Sequence, residues 1–110
     1  MTGPTVVERE WTYEVAFEEA QIRSRYRRQG LNTLDYTVQL EIWHSNTWMP
    51  VVRYDNAHGF CHCDTIHADG SQDKTPVVRG DANTNFTWAI KELRASWQVH
   101  SSRFRAEVKR

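Results

Sequence analysis

The sequence predicts an α+β fold in which an antiparallel sheet of four or five strands carries one long C-terminal helix on one face. Two patterns predict this fold. Apolar residues alternate with polar ones through much of the first 80 residues, and later they recur every three or four residues. The chain has 110 residues, of which 39% are hydrophobic. That length and that composition indicate one domain over residues 1–110 and exclude a disordered tail.

The clearest strand runs from Leu34 to Trp43, where every second residue is apolar. A period of two is typical of a strand with one buried face. A turn over residues 44–47 then leads into a second strand over residues 48–55, and the two strands form a hairpin. Pro50 lacks an N–H group, so we expect it at a strand edge or a bulge.

Three further segments are less regular. A third strand is expected over residues 60–66, with His62 and Asp64 on one face and both cysteines on the other, and a short edge strand over residues 74–78. Residues 11–17 also alternate and predict a strand. Residues 18–33, which contain clustered arginines, are expected to be irregular or to form a short helical segment.

The last third of the chain has a helical period. Its apolar stripe consists of Phe86, Ile90, Leu93, Trp97 and Phe104, and His100 fills the missing place. The stripe predicts a helix from about residue 83 to about residue 107, with Asp81 or Asn83 as its N-cap.

The tryptophans Trp43, Trp48, Trp88 and Trp97 are expected to seal this helix against the sheet. Trp43 falls on the polar phase of its strand, which leaves open an exposed position. An exposed tryptophan on a sheet face would indicate a partner or a homodimer.

The densest group of polar residues lies between Arg53 and Asp64. Because neighbouring strands lie about 4.8 Å apart, we expect Arg53, Asp55, His58 and His62 to converge. Two imidazoles and an arginine can cleave RNA without a metal ion: one histidine takes the 2′-hydroxyl proton, the other protonates the leaving oxygen, and the arginine stabilises the phosphate. Asp55 could instead hold His58 in one tautomer.

Two other interpretations of these residues stay open. In the first, Asp55 and Asn56 accept N–H groups of a turn, Gly59 supplies a positive φ, and His62 is half-buried in the sheet. In the second, zinc binds a subset of Cys61, Cys63, His58, His62 and His67. Strand alternation separates His62 from both cysteines, so we expect no metal and no cofactor.

A second candidate site is the basic segment that contains Arg23, Arg25, Tyr26, Arg27 and Arg28. Such a segment could follow a phosphate backbone while the tyrosine stacks on a base. The alternative is a solvated face that pairs with the acidic middle of the chain. The chain has 14 basic and 14 acidic residues, so its overall charge gives no argument for nucleic acid.

The stretch Trp48-Met-Pro-Val-Val-Arg-Tyr-Asp-Asn-Ala-His-Gly, followed by His62, Asp64 and Asp69-Gly70, resembles the TumE-like toxins of toxin–antitoxin modules and their uncharacterised small prokaryotic relatives. Those proteins share an Arg-Tyr-Asp-Asn, His-Gly, His segment after a sheet hairpin and before a C-terminal helix. The resemblance implies a catalytic cluster of Arg53, Tyr54, Asp55, His58 and His62. The toxin-like members tend to carry a second histidine where this chain has Asp64, which favours the uncharacterised relatives.

These patterns lead to two functional hypotheses. The first is a protein that cleaves or binds RNA, for which the resemblance implies a cognate antitoxin as partner. The second is a non-catalytic interaction module, or homodimer, whose histidine and aspartate turn is structural. No apolar run approaches the roughly 20 residues of a membrane span, and the N-terminus lacks the features of a signal peptide. We therefore expect no membrane association and a cytoplasmic location.

Overall fold

Within residues 5–77 and 80–109, which the computed structural model describes, six strands form one antiparallel sheet in chain order. The strands are β1 (Val6–Ala16), β2 (Ala20–Gln29), β3 (Asn32–His44), β4 (Thr47–Asp55), β5 (His62–Ile66) and β6 (Gln72–Pro76). A single-turn 3₁₀ helix (Ala57–Gly59) joins β4 to β5, and helix α1 (Ala82–Val108) follows the sheet. The predicted fold class is confirmed, with six strands instead of four or five.

The additional strand is β2, where we expected an irregular or helical segment. That expectation was wrong. Ala20, Ile22 and Ser24 are fully buried on one face, while Arg23, Arg25 and Arg27 alternate with them and point to the other face. β2 pairs with both β1 and β3, so that Tyr26 lies between Arg9 and Tyr36. The clustered arginines therefore mark a strand with one charged face.

Helix α1 covers one face of the sheet and contacts β2, β3 and β4. The core between them contains Ile22, Val38, Leu40, Ile42 and Val52 from the sheet, together with Ala89, Leu93 and Phe104 from the helix. Asp81 is the N-cap, since its carboxylate accepts a hydrogen bond of 2.8 Å from the Thr84 N–H. The predicted helix and one of its two predicted caps are confirmed. No helix among the described residues has the length and apolar character that a membrane span needs.

The boundaries of β3, β4 and β5 lie within two residues of the predictions, whereas β1 begins at Val6, five residues before the predicted strand. Pro50 lies opposite Glu41 beside a register shift, which is the predicted bulge. The edge strand β6 begins two residues earlier than expected, and Val78 lies outside the described residues.

The tryptophans divide between the two faces of the sheet. Trp88 packs edge-on against Tyr54 on the helix side, and Trp97 also packs against the core. Trp43 and Trp48 pair with each other on the opposite face, and Trp43 is 40% exposed. We expected all four tryptophans to pack between the helix and the sheet, and this was wrong for Trp43 and Trp48. Their side chains lie on the same face of the sheet as Glu41, which points away from α1.

Candidate functional site

The face of the sheet opposite α1 carries a cluster of charged side chains from three neighbouring strands. Asp55 of β4 lies opposite His62 of β5, Arg53 lies opposite Asp64, and Asp64 lies opposite Lys74 of β6. Residues opposite each other in adjacent strands point to the same face. We call these five residues the polar cluster.

The imidazole of His62 lies at its centre and is 1% exposed. Its Nε2 atom is 2.7 Å from Asp55 Oδ1 and 3.1 Å from Lys74 Nζ. When Nε2 carries a proton, it donates to Asp55, the closer of the two groups, and it then accepts no hydrogen bond from the Lys74 ammonium. That tautomer leaves a lone pair on Nδ1. Nδ1 is buried and has no hydrogen-bond partner among the described residues. Asp55 can therefore fix the tautomer in which Nδ1 is the basic nitrogen.

Asp64 is a buried carboxylate, 3% exposed, that forms ion pairs with Arg53 and Lys74. Its Oδ2 lies 3.7 Å from Arg53 Nη1, and its Oδ1 lies 3.5 Å from Lys74 Nζ. Within the described chain, Oδ1 is buried without a hydrogen bond. Burying a carboxylate in this way is costly, and such arrangements are concentrated at functional sites.

A chain of polar contacts continues from the polar cluster across the sheet. Arg53 Nε donates to Gln39 Oε1 at 2.9 Å, and the Gln39 amide donates to Glu41 Oε2 at 2.7 Å. Glu41, 5% exposed, also accepts a hydrogen bond of 3.3 Å from Arg23 Nε. The chain holds Arg53 in place. The sequence did not indicate that Lys74, Gln39 and Glu41 are neighbours of the site, although Gln39 and Glu41 alternate with the apolar residues of β3 and so lie on its polar face.

The structure brings together three of the five predicted catalytic residues: Arg53, Asp55 and His62. Tyr54 is the exception among the described side chains. It points to the helix side and is 6% exposed, and burial raises the pKa of its phenol. Successive side chains of a strand point to opposite faces, so Tyr54 lies on the other face of β4 from Arg53 and Asp55. His58 lies in the 3₁₀ helix between Asp55 and His62, but its side chain is outside the described part of the chain.

The turn network that we considered as an alternative is also present. Asp55 Oδ1 accepts a hydrogen bond from the Ala57 N–H at 3.0 Å, and Asn56 Oδ1 accepts one from the Tyr36 N–H at 3.0 Å. Gly59 has the expected positive φ of 88°. The same Asp55 oxygen therefore contacts both the Ala57 N–H of the turn and the His62 imidazole. The alternative was wrong in two respects. It expected a half-buried His62, which is buried, and it expected Asn56 to accept an N–H group of the turn, whereas Asn56 accepts the Tyr36 N–H of β3.

The cysteines lie away from the polar cluster. Cys61 and Cys63 point to the helix side, as alternation predicts, and burial raises the pKa of both thiols. A zinc site shared by His62 and these cysteines is therefore not formed by the sheet. Instead, potential ligand atoms of Asp55, His62 and Asp64 lie within 4.8 Å of one another, so these three residues could hold a metal ion.

The predicted basic site is divided by the sheet. Arg23, Arg25 and Arg27 lie on the polar face, where each pairs with acidic residues of β1 or β3; Asp35 alone contacts two of them, at 3.0 and 2.6 Å. Tyr26 packs edge-on against Trp11 and Phe86 on the other face, and Arg28 lies 5.0 Å above its ring. The five residues do not form one surface, and the charge of the three paired arginines is largely compensated.

The family model for a domain of unknown function, DUF7718, matches residues 6–110, so the chain belongs to that family. No curated protein and no solved structure matches the chain. Family membership assigns no activity, and the resemblance to TumE-like toxins stays a prediction.

Proposed function

We propose that the chain cleaves RNA at the polar cluster and needs no metal ion to do so. The observation that carries this proposal is the 2.7 Å contact between Asp55 Oδ1 and His62 Nε2, which leaves Nδ1 of this buried histidine without a hydrogen-bond partner among the residues that the structure describes. A carboxylate that fixes one imidazole tautomer and stabilises the imidazolium is a recurrent device of proton transfer.

The reaction would begin at the ribose. Nδ1 of His62 is buried in the closed sheet, so the edge strand β6 must first open. Nδ1 then takes the 2′-hydroxyl proton while the 2′ oxygen attacks the adjacent phosphorus. The bond from phosphorus to the 5′ oxygen then breaks, which yields a 2′,3′-cyclic phosphate and a 5′-hydroxyl end. That leaving oxygen needs a proton, and we assign its donation to His58, whose backbone lies in the turn between Asp55 and His62.

Cationic and aromatic side chains at the rim support an RNA substrate. Arg53 is partly exposed and Lys74 is half-exposed, so both can contact phosphate oxygens. The Phe60 ring lies 5.6 Å from the His62 ring and is 49% exposed, which suits stacking with a base. Lys74 must leave Asp64 to contact the phosphate, and it belongs to an edge strand whose five residues are all exposed. Such a strand is the part of the sheet most able to open.

The test is the cleavage of a fluorophore-labelled RNA in the presence of a chelator. His62→Gln should lower the rate by about 100-fold or more, because it removes the base. Asp55→Asn should also lower it, and His58→Ala should slow the release of the 5′ oxygen. A matched control is His67→Gln, since His67 contacts Asp73 at the same 2.7 Å but lies outside the polar cluster.

Identical purification of every variant separates this activity from contaminating nucleases, and circular dichroism checks that each variant is folded. If His62→Gln and His67→Gln cleave RNA as fast as the wild-type protein, His62 is not the base and the proposed function is wrong.

A second candidate function, an interaction module, is favoured by the exposed aromatic residues at one end of the sheet. Phe17 is 76% exposed in the turn between β1 and β2, and Trp43 is held beside that turn by a 3.0 Å hydrogen bond from its N–H to the Glu19 carbonyl. We propose that this end contacts an antitoxin-like partner or a second copy of the chain. Trp43→Ser should then convert a dimer to a monomer in light scattering. If the wild-type protein is monomeric at high concentration, a second copy of the chain is excluded and the antitoxin-like partner is the remaining occupant of this end.

A further inference from the structure

We infer that Asp55, His62 and Asp64 bind a divalent transition-metal ion such as Zn²⁺, and that the bound ion switches off the proposed RNA cleavage. The second half of this inference rests on the proposed function. The first half concerns the free protein and can be tested without RNA.

The geometry needs little adjustment to accept an ion. His62 Nε2 lies 2.7 Å from Asp55 Oδ1 and 4.0 Å from Asp64 Oδ2. Zinc binds nitrogen and oxygen ligands at about 2.1 Å, so two ligand atoms on one ion lie at most about 4.2 Å apart. Both distances are below that limit, although His62 and Asp55 must move apart toward the roughly 3.4 Å that separates two ligands of a tetrahedral ion. The ligand atoms of all three residues lie within 4.8 Å of one another, and the strands of the sheet hold the residues in register. One imidazole with two carboxylates is a donor set that suits Zn²⁺ and related ions.

The buried carboxylate of Asp64 is the independent observation that points to a ligand. It is 97% buried, and its Oδ1 has no hydrogen bond within the described part of the chain. Its neighbouring cations lie at 3.5 and 3.7 Å, beyond the distance of a good charge-assisted hydrogen bond. A divalent ion would satisfy this carboxylate directly.

Lys74 occupies the place that the ion would take. Its ammonium lies 3.1 Å from His62 Nε2 and 3.5 Å from Asp64 Oδ1, so it supplies positive charge to two of the three ligands. Its side chain is 53% exposed, and it can therefore swing into solvent when an ion arrives. Lys74 and the ion compete for the same position.

The competition explains how the ion would stop cleavage. A neutral imidazole carries one proton, and an ion on Nε2 forces that proton onto Nδ1. Nδ1 then has no lone pair with which to accept the 2′-hydroxyl proton. The bound ion would thereby remove the base that the proposed function requires.

The first experiment is a calorimetric titration of chelator-treated protein with Zn²⁺, with no RNA present. We expect binding at one site per chain. Asp64→Asn and His62→Gln should each weaken it by about tenfold or more, since even the loss of a neighbour of a metal ligand commonly costs that much. Lys74→Met should tighten it, because the competing ammonium is gone. Asp73→Asn, a substitution on the same strand as Lys74 but outside the polar cluster, should leave it unchanged.

The second experiment measures RNA cleavage at Zn²⁺ concentrations that saturate the site. Cleavage by the wild-type protein should fall, whereas Asp64→Asn, compared with its own ion-free rate, should resist the ion. Absence of Zn²⁺ binding, or binding that survives both ligand substitutions, overturns the site. Cleavage that Zn²⁺ leaves unchanged overturns the switch. Zn²⁺ binding at this site by a protein that cleaves no RNA supports the site and overturns the proposed function.

Discussion

His67 Nδ1, just beyond β5, lies 2.7 Å from Glu107 Oε2 near the C-terminal end of α1. The other ring nitrogen of His67 lies 2.7 Å from Asp73 on β6. Glu107 Oε1 also accepts hydrogen bonds from the Ala68 N–H and from Arg103, at 3.0 and 3.1 Å. A histidine with a carboxylate at each nitrogen is suited to the protonated form, and this contact fastens the end of the helix to the turn between β5 and β6.

The first prediction concerns pH. Hydrogen bonds to Asp73 and then to Glu107 raise the pKa of His67 above 6.5, and the bond to His67 is the main reason that the pKa of Glu107 is below 4.5. A histidine with a raised pKa stabilises the fold fully below pH 6.5, and this contribution is lost as the pH rises through the folded-state value. The stabilisation that Glu107 contributes is present above pH 4.5 and is lost as the pH falls through the lowered pKa that this residue has in the folded protein.

Amide exchange of the last turns of α1 should therefore be slowest between these two limits and should increase as the pH rises past the His67 pKa, after correction for intrinsic exchange. A nuclear magnetic resonance titration would give that pKa. In His67→Gln, the exchange rate of these amides should no longer increase as the pH rises above 6.5. An His67 pKa at or below 6.5 would contradict the prediction.

The second prediction concerns the core. Leu93 is fully buried between the helix and the sheet, so Leu93→Ala should lower the free energy of unfolding by about 2–5 kcal/mol. Val99 lies on the same helix and is 70% exposed, and Val99→Ala should change it by less than about 0.5 kcal/mol. Urea denaturation measures both values. Similar losses for the two variants would mean that α1 does not pack on the sheet through Leu93.

The parts of the fold that could be predicted from the sequence are those with strong local periodicity. β3 and α1 bury large apolar side chains at regular intervals. The free energy of that burial favours these two elements over any other local structure of the same residues. β2 was missed because its buried face includes Ala20 and Ser24, which contribute little hydrophobic signal. Its pairing instead depends on contacts with distant residues, such as those of Arg25 with Glu8 and Asp35.

In the candidate site, too, residues placed by local alternation could be predicted, and residues placed by strand pairing further along the chain could not. Alternation and one hairpin sufficed to place Arg53, Asp55 and His62 on a shared face. Lys74 could not be added, because its contact with Asp64 depends on the register between β5 and β6, which the intervening turn sets. That turn contains hydrogen bonds from Ser71 to Asp69, and the bond from the Ala68 N–H to Glu107 ties it to the distant end of α1.

The third prediction concerns the start of α1. The Asp81 carboxylate accepts the Thr84 N–H at 2.8 Å, and this bond lowers the pKa of Asp81. Asp81→Ala should lower the free energy of unfolding, whereas Asp81→Asn, whose side-chain oxygen can still accept the bond, should retain most of the stability. Urea denaturation at neutral pH compares the two. Equal losses for Ala and Asn would show that the hydrogen bond is not what stabilises this end.

The fourth prediction concerns the thiols. Burial is the main cause that raises the pKa of Cys61 and Cys63, and Cys61 is only 4% exposed. Because the thiolate is the reactive form and these thiols are both protonated and shielded, a thiol reagent at pH 7.5 should modify them much more slowly in the folded protein than in urea. Mass spectrometry after timed alkylation would count the modified sites, and Cys61→Ser and Cys63→Ser would assign them. Fast modification of the folded protein at Cys61 would contradict its burial beneath α1, and with it the placement of the two cysteines on the side of the sheet away from His62.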